Sequence, residues 1–507
     1  MEKQIKDLDM NHNFEFETCT PEKLGIPSQS ISLFLQRLEE KRLSMHGVIV
    51  IRHGKIAAEG YYKPFSVNRP HRLYSSSKTF VSAAIGILAD QGKIHLDDKV
   101  IDYFPEYAPK DPHPFLKNVT IRNLLTMSTP YTEGCYGLKD KNWVEIFFQT
   151  QQVPSHPGGT LFSYDTAGTV VLNGIVEKVS GKELIAFLRP TLDKLGISKE
   201  IWCVARPEGG AWGGSGVVCL PHDFAKFAML LLNKGEFGGE QLISREYMEA
   251  AASAQIDTQA RMHEPEFQFG YGYQLWRTRN DSFAMVGMGS QIALCIPEKD
   301  MILVTLADTQ ATPVGSDAIL NAFWTTIYPQ VQDGELPENT AAYDALMKKI
   351  AGLSLLKPLG KAHSEKQSLY DGVVYCFSEP NRMTLDQVSF SFEEERGTMR
   401  YTNETGEHEL HFGLGKHVTG TFPETCYFDR QIGVPCGREY QCSAAGAWFD
   451  DDNLILFVNS IDNHLGTIKI HVHFSQDWVM VAMTKFAEWF FTKYDGIATG
   501  YAEKAIK

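Results

Sequence analysis

The sequence predicts an α+β protein in which a domain of helices and antiparallel strands precedes an all-β antiparallel domain. Two observations support this class. In the first part of the chain, amphipathic helix patterns alternate with short strand patterns, and an antiparallel meander begins near residue 270. From residue 358 onward, about eight short strand patterns follow at hairpin spacing, which favours a closed barrel or a sandwich.

The predicted organisation has four parts. Residues 1–19 are polar and are interpreted as an N-terminal arm, and residues 20–331 form the mixed helix and sheet domain. Residues 332–357 are predicted to be a linker with a short helix, and residues 358–507 form the barrel-like domain. A chain of 507 residues exceeds what one hydrophobic core usually supports, which agrees with two folded domains.

The composition excludes several classes of protein. Its 43% hydrophobic and 22% charged residues are ordinary for a globular protein. The net charge of −14 is spread without long runs, which argues against nucleic acid and anionic membranes as partners. The first ten residues lack the apolar core of a signal peptide, and no apolar run reaches the ~18–20 residues of a membrane span. We therefore expect a cytoplasmic protein.

No metal or cofactor is predicted. The nine cysteines are scattered without a close Cys-x-x-Cys pair, which is typical of reduced thiols. His471 and His473 alternate on one predicted strand and so face the same side, but no third ligand is placed beside them. The segment Asp450-Asp451-Asp452-Asn453 has the composition of a hairpin turn and lacks the glycine and terminal glutamate of an EF-hand loop.

The main candidate for chemistry is the predicted helix between Tyr74 and Gly92. Apolar residues recur along it at three- and four-residue steps. Three serines, Ser75 to Ser77, stand at its N-terminus, where free backbone N–H groups favour developing negative charge. Ser75 and Lys78 are three residues apart and share a helical face. A lysine amine buried there has a lowered pKa and can accept the serine proton.

The Ser-x-x-Lys spacing is weak evidence by itself. Ser354 and Lys357 have the same spacing, but Pro358 follows and no amphipathic helix begins there. For Ser75, the alternative is an N-capping residue beside a solvated lysine. Spacing alone leaves both interpretations open.

Further segments carry candidate site residues. Tyr164 immediately precedes a predicted helix for which Asp165 or Thr166 is a suitable N-cap, and the alternative role for this tyrosine is packing. The Gly287–Gln291 stretch interrupts the predicted strands, and its glycines permit a bulge or the close approach of a ligand. The aromatic-rich residues 131–162 are either a pocket wall or a surface loop.

A glycine-rich turn, Trp212–Val218, precedes a predicted helix from Pro221 to Leu232. It is not a phosphate-binding loop, because no Gly-Lys-Ser/Thr follows it. No role is predicted for this turn.

The order of these features resembles the serine β-lactamase and penicillin-binding-protein-like hydrolases, in the branch of class C β-lactamases, family VIII carboxylesterases and D-aminopeptidase-type enzymes. The resemblance covers roughly residues 20–331 and implies an antiparallel sheet flanked by helices, with a helical subdomain. The features that carry it are Thr20–Gly25, the strand patterns of residues 46–62 that predict a β-hairpin, the Ser75/Lys78 helix, Phe162-x-Tyr164, Gly270–Tyr273 and Gly287–Gln291. The C-terminal strands are similar to the lipocalin-like domain that related hydrolases often carry.

The resemblance implies a role for each matching residue. Ser75 would be the acylated nucleophile, Lys78 its base partner and Tyr164 the group that shuttles the proton to the leaving group or from water. The backbone N–H groups of Ser75 and Gln291 would form the oxyanion hole, where such donors typically contribute about 3 kcal/mol each.

Two departures from the family pattern bear on the substrate. The Tyr-x-Asn motif ends here in Thr166, and the Lys-Thr-Gly or His-x-Gly motif is replaced by Met288-Gly289-Ser290. No basic side chain remains there to bind the carboxylate of a β-lactam or a peptide, which argues against efficient β-lactamase or carboxypeptidase activity. The candidate pocket residues are Thr166, Met288, Gly289 and Ser290.

The prediction is therefore a serine hydrolase that forms an acyl-enzyme on Ser75 and acts on a small ester or amide. An acyltransferase or a D-amino-acid peptidase with the same site, a catalytically lapsed binding or sensor protein, and a structural scaffold remain alternatives. The sequence does not decide the acyl group, the leaving group, the role of the C-terminal domain or whether the chain forms a homodimer.

Overall fold

The computed structural model of the protein describes residues 14–132, 134, 142–312, 314–425, 439–487 and 491–503. These residues form two compact units. The first contains the described residues up to Tyr62 together with Ser66–Leu353, and the second contains Lys63–Phe65 and the described residues from Ser354 onward. Most of the predicted N-terminal arm, and residues 133 and 135–141 of the predicted pocket wall, lie outside the described residues.

The first unit combines helices with one large sheet. Its helices are α1 (Ser28–Glu40), α2 (Ser77–Asp90), α3 (Val100–Tyr103), α4 (Pro114–Lys117), α5 (Ile121–Leu125), α6 (Trp143–Gln149), α7 (Thr166–Ser180), α8 (Leu184–Lys194), α9 (Pro221–Leu232), α10 (Arg245–Ala251), α11 (Gly315–Thr326) and α12 (Thr340–Ala351). Its strands are β1 (Met45–Arg52), β2 (Lys55–Tyr61), β3 (His71–Arg72), β4 (Trp202–Cys203), β5 (Val217–Cys219), β6 (Glu236–Phe237), β7 (Glu240–Gln241), β8 (Trp276–Arg277), β9 (Phe283–Gly287), β10 (Gln291–Ile296) and β11 (Met301–Ala307).

The main sheet is antiparallel and has the order β2-β1-β11-β10-β9-β8. Every residue of β1, β10 and β11 is buried, because helices cover both faces. Leu294 of β10 belongs to the core cluster that includes α1 and α11, whereas the adjacent Cys295 contacts Ala228 of α9. Successive side chains on a strand point to opposite faces, so α9 and the α1/α11 pair lie on opposite sides of the sheet.

A group of helices built around α2 and α7 forms the rest of the first unit. Helix α7 packs against α2, α5, α6 and α8. Thr120 begins α5 with a reciprocal capping box to Asn123, and Gly181 ends α7 with a φ of 69°. The predicted sheet flanked by helices, with a helical part, is confirmed.

The second unit is a closed nine-stranded barrel. Its elements are α13 (Gln367–Tyr370), β12 (Val374–Cys376), β13 (Gln387–Phe392), β14 (Arg396–Asn403), β15 (Gly406–Leu414), β16 (Val418–Thr421), β17 (Gln441–Trp448), β18 (Asn453–Ile461), β19 (Leu465–Phe474), β20 (Trp478–Phe486) and β21 (Gly496–Ala502). Around the ring the order is β15-β14-β13-β12-β21-β20-β19-β18-β17, and β16 pairs with β17 outside it. The predicted barrel is confirmed, but its closing pair, β15 with β17, is parallel.

The described part of the barrel has an aromatic core. The ring of Tyr370 stacks on that of Phe474 at 4.8 Å, and Phe390 and Trp448 contact Phe474 at 5.1 and 5.5 Å. These four side chains are buried. Large buried rings that touch one another are typical of a filled barrel interior.

His471 and His473 share one hydrogen-bond partner. His471 Nε2 and His473 Nδ1 lie 2.8 and 2.9 Å from Asn453 Oδ1. Within the described ranges, no group of three or more His, Cys, Asp or Glu side chains is placed to hold a metal. Within the same ranges, no helix combines the length and the apolar character needed to cross a bilayer.

Candidate active site

A strained turn before α2 presents the predicted nucleophile. Tyr74 has a φ of 47°, which is unusual for a bulky residue, and a 3-10 turn carries the chain from Tyr74 through Ser75 to α2. The buried Arg72 guanidinium lies 4.3 Å from the Tyr74 ring centroid and 4.8 Å from that of Trp212. Arg72 Nε also donates to the Ser215 carbonyl at 2.9 Å. These contacts hold the turn in place.

The three adjacent serines have different environments. Ser76 and Ser77 are buried, whereas Ser75 is partly exposed. Ser76 Oγ donates to the Gln291 carbonyl at 2.8 Å, and Ser77 Oγ accepts from the Val217 N–H at 2.9 Å. Two of the three hydroxyls therefore tie α2 to its neighbours, and Ser75 is left as the accessible one.

Lys78 is 1% exposed and lies directly beside Ser75. Lys78 Nζ is 2.9 Å from Ser75 Oγ, and it donates to the Gly214 carbonyl at 2.7 Å. It also lies 5.1 Å from the centroid of the Tyr164 ring. The structure thus brings the predicted serine, lysine and tyrosine together. A neutral amine that gives one N–H to a carbonyl can direct its lone pair to the serine hydroxyl.

Tyr164 is held in an aromatic cluster at the edge of the site. Its side chain is 37% exposed, and its ring stacks on Trp276 at 5.7 Å with an interplanar angle of 14°. Phe162 and Tyr271 contact both of these rings. This packing fixes the ring of Tyr164 while leaving part of it accessible.

Asp165, not Thr166, is the N-cap of α7. Its side chain accepts a hydrogen bond from the Ala167 N–H at 2.8 Å, and the residue is 1% exposed. Burial raises the pKa of the Asp165 carboxyl to about 6, against the lowering effects of the Ala167 N–H and the Lys78 charge. The sequence identified this residue only as a cap.

The turn between β9 and β10 lies against the turn that carries Ser75. A Cβ atom on Gly287 would stand 2.1 Å from the Leu73 carbonyl oxygen, so only glycine allows this approach. The side chain of Gln291 is buried and donates to the carbonyls of Met288 at 2.9 Å and Ala307 at 2.6 Å. These contacts fix the turn between β9 and β10. The role of the Gln291 backbone N–H in an oxyanion hole remains a prediction.

The predicted pocket residues on this turn differ in exposure. Met288 and Gly289 are partly exposed. Ser290 is buried, and its Oγ lies 2.7 Å from Thr309 Oγ1 and 2.9 Å from Ser316 Oγ. The hydroxyl of Ser290 therefore belongs to an internal polar group, and the pocket roles of Met288 and Gly289 remain predictions.

Thr166 lies behind the Gly214 turn. It is 7% exposed, and a Cβ atom on Gly214 would stand 2.7 Å from Thr166 Cγ2. No role was predicted for the turn of Gly214, although the Gly214 carbonyl accepts the hydrogen bond from Lys78. Its glycines were visible in the sequence, but its proximity to Lys78 was not.

The second Ser-x-x-Lys segment does not form a comparable pair. Ser354 forms a parallel β-bridge with Lys63, and Lys357 Nζ donates to the Gly415 carbonyl at 2.7 Å. The segment is not helical, so its serine and lysine are not placed on one helical face.

Comparison with known proteins identifies the family. The sequence model of one protein family, described as beta-lactamase, matches residues 32–323. The chain belongs to the beta-lactamase family. The match includes Ser75, Lys78, Tyr164 and Gln291, and it lies within the first compact unit apart from residues 63–65.

Individual proteins similar to this beta-lactamase-family chain carry hydrolase names. It is 25% identical over 292 residues to the 6-aminohexanoate-dimer hydrolase of Paenarthrobacter ureafaciens, covering 54% of this chain and 74% of that protein. A solved Bacillus anthracis protein named after the same hydrolase matches with a TM-score of 0.51 and 19% identity, over 63% of this chain and 87% of that one. A family VIII carboxylesterase matches with a TM-score of 0.46 and 15% identity, over 61% and 98% of the two chains.

Proposed function

We propose that the protein is a serine hydrolase that forms an acyl-enzyme on Ser75. The observation that carries this proposal is the 2.9 Å separation of Ser75 Oγ from the buried Lys78 Nζ. As Oγ attacks a substrate carbonyl carbon, Lys78 accepts the hydroxyl proton. The backbone N–H groups of Ser75 and Gln291 stabilise the negative charge that develops on the carbonyl oxygen.

In this mechanism Tyr164 completes the proton transfers. Its ring lies 5.1 Å from Lys78 Nζ. In this proposal its hydroxyl gives a proton to the leaving group when the carbonyl re-forms, and it recovers a proton from the Lys78 ammonium. A water molecule then attacks the acyl-enzyme and gives a proton to Lys78 through Tyr164. The ester bond to Ser75 breaks, Ser75 Oγ takes this proton back, and the acid product leaves. The same steps with an alcohol or amine acceptor give acyl transfer.

The best-supported substrate is a small neutral ester. Met288 occupies the position where the family motif supplies a basic side chain, and the partly exposed ring of Tyr164, stacked on Trp276, is aromatic surface at the edge of the site. An apolar and aromatic surface favours uncharged acyl groups over carboxylates. Amides are the second candidate class, because the curated relative at 25% identity is named as an aminohexanoate-dimer hydrolase.

A matched substrate panel tests this function. Hydrolysis of 4-nitrophenyl butyrate, the 4-nitrophenyl monoester of succinate and butyryl 4-nitroanilide would be measured for the wild type and Ser75→Ala. We expect the neutral ester to be the best substrate, the charged ester to lose at least about tenfold in kcat/KM, and Ser75→Ala to be inactive. Turnover that survives in Ser75→Ala, or an inactive wild type, would contradict the proposal.

A further inference from the structure

The Gly214 carbonyl directs the side chain of Lys78. Lys78 Nζ lies 2.7 Å from this oxygen and 2.9 Å from Ser75 Oγ. The position of the carbonyl therefore helps to set both the location of the amine and the direction of its lone pair. Any residue that fixes Gly214 also acts on the Ser75/Lys78 pair.

Helix α7 fixes the start of the Gly214 turn. Asn173 Nδ2 donates to the Ala211 carbonyl at 2.8 Å, and Glu177 Oε1 accepts from the Ala211 N–H at 2.8 Å. Arg206 Nη2 donates to Glu177 Oε2 at 2.7 Å in a pair that is largely buried. A Cβ atom on Gly213 would stand only 2.9 Å from Asn173 Oδ1. The turn is thus held closely against α7.

The same helix contacts the turn again at Gly214. Thr166, the first residue of α7, places its Cγ2 methyl where a Cβ atom on Gly214 would approach to 2.7 Å. Thr166 also follows Asp165, whose cap fixes the first turn of the helix. The methyl group of Thr166 therefore lies against the backbone whose carbonyl accepts from Lys78.

We propose that Thr166 is a positioning residue whose methyl group fixes the Gly214 carbonyl and, through it, the amine of Lys78. This inference rests on the proposed function, since it assumes that Lys78 is the base for Ser75. It replaces the expectation that Thr166 is a pocket residue, a role in which its hydroxyl would meet the substrate. The two expectations are separable, because Thr166→Ser removes the methyl group and Thr166→Val removes the hydroxyl.

The test compares rates of Ser75 phosphonylation by a small alkyl fluorophosphonate between pH 6 and 10. A carbonyl acceptor favours the charged form of an amine, so its displacement lowers the pKa of Lys78. We expect Thr166→Ser to lower the plateau rate about tenfold and to move the midpoint of the pH profile to lower pH. A larger loss in Thr166→Val than in Thr166→Ser, with the wild-type midpoint in Thr166→Ser, would overturn the proposal.

A rescue experiment provides a sharper criterion. Gly214→Ala brings a methyl group against Thr166 Cγ2, so we expect it to slow labelling about a hundredfold. Adding Thr166→Ser to Gly214→Ala removes the opposing methyl group. We expect the double variant to be labelled at least about tenfold faster than Gly214→Ala alone. A double variant that is slower than Gly214→Ala alone would show that the two positions do not act through this contact.

A stability cycle distinguishes failure of this inference from failure of the proposed function. Urea midpoints would be measured for Thr166→Ser in the wild type and in Lys78→Met, where the donor to Gly214 is absent. We expect Thr166→Ser to shift the midpoint less in the Lys78→Met background. Equal shifts would overturn the positioning role. An unlabelled wild type with unequal shifts would overturn the proposed function and leave the Thr166–Gly214–Lys78 coupling supported.

Discussion

Lys78 and Lys226 are both buried in the first unit but differ in what they contact, and this gives a matched comparison. Lys226 is 3% exposed and donates to the Gly196 carbonyl at 2.7 Å, much as Lys78 donates to Gly214. We expect Lys78→Met to slow fluorophosphonate labelling of Ser75 about a thousandfold, because the base is lost, and Lys226→Met to retain labelling. Equal losses in both variants, measured on folded protein, would remove the assignment of Lys78 as the base.

Asp165 gives a pH-dependent prediction about stability. Its pKa is raised by burial from 3.8 to about 6, so the native state binds its proton more tightly than the unfolded chain does. Well below pH 4 the carboxyl is protonated in both states, so it does not destabilise the native state. As the pH rises through 6, ionisation of the buried carboxyl destabilises the native state relative to the unfolded chain. Asn at this position keeps the N-cap without the charge.

Urea unfolding of the wild type and Asp165→Asn at pH 4 and pH 8 tests this point. We expect the free energy of unfolding of Asp165→Asn, relative to the wild type, to increase by on the order of 2 kcal/mol from pH 4 to pH 8. A relative stability that does not change with pH, or that changes in the opposite direction, would show that ionisation of Asp165 does not destabilise the native state.

At the residue scale, spacing predicted the Ser75/Lys78 pair but not its surroundings. The two residues are three apart on one helix turn, so local geometry alone brings them together. Gly214 is 136 residues from Lys78 in sequence, so no local pattern predicts that its carbonyl accepts a hydrogen bond from Lys78. The environment of Asp165 likewise depends on tertiary burial, so the sequence indicated its cap and not its raised pKa.

At the element scale, the contact between the end of β9 and the turn before Ser75 leaves no room for a side chain. Gly287→Ala would place a Cβ atom 2.1 Å from the Leu73 carbonyl oxygen, in the backbone two residues before Ser75. We expect the variant to fold with a displaced turn and to label at least about a hundredfold more slowly. Gly334→Ala is the control, because a Cβ atom there meets nothing within 4 Å. Wild-type labelling in Gly287→Ala would contradict the placement of β9.

Helices and strands whose apolar residues recur at regular spacing could be predicted from the sequence, and those without such spacing could not. Helix α9 runs from Pro221 to Leu232 as predicted, because proline marks its first position and its inward face is continuous. Strands β16 and β21 were missed. Val418–Thr421 is short, with no buried residue, and Gly496–Ala502 contains two glycines and only two buried residues. Their pairing partners, β17 and β20, define them as strands.

At the scale of the whole molecule, the candidate site residues all belong to the first unit. Trp448 is fully buried in the aromatic core of the barrel, so Trp448→Ala should destabilise the second unit by about 3–5 kcal/mol. We expect a lowered first thermal transition and an unaltered rate of Ser75 labelling below that transition. Loss of labelling while the barrel is still folded would indicate that the second unit contributes to the site.

The most direct test of the central claim is the intact mass of the protein after exposure to a fluorophosphonate. Ser76→Ala and Ser77→Ala are suitable controls, because those hydroxyls bond to Gln291 and Val217 and are buried. The account predicts one adduct per wild-type chain, located on Ser75 by peptide sequencing, retained in both controls and absent from Ser75→Ala. No adduct on folded wild type, or an adduct that persists in Ser75→Ala, would contradict it.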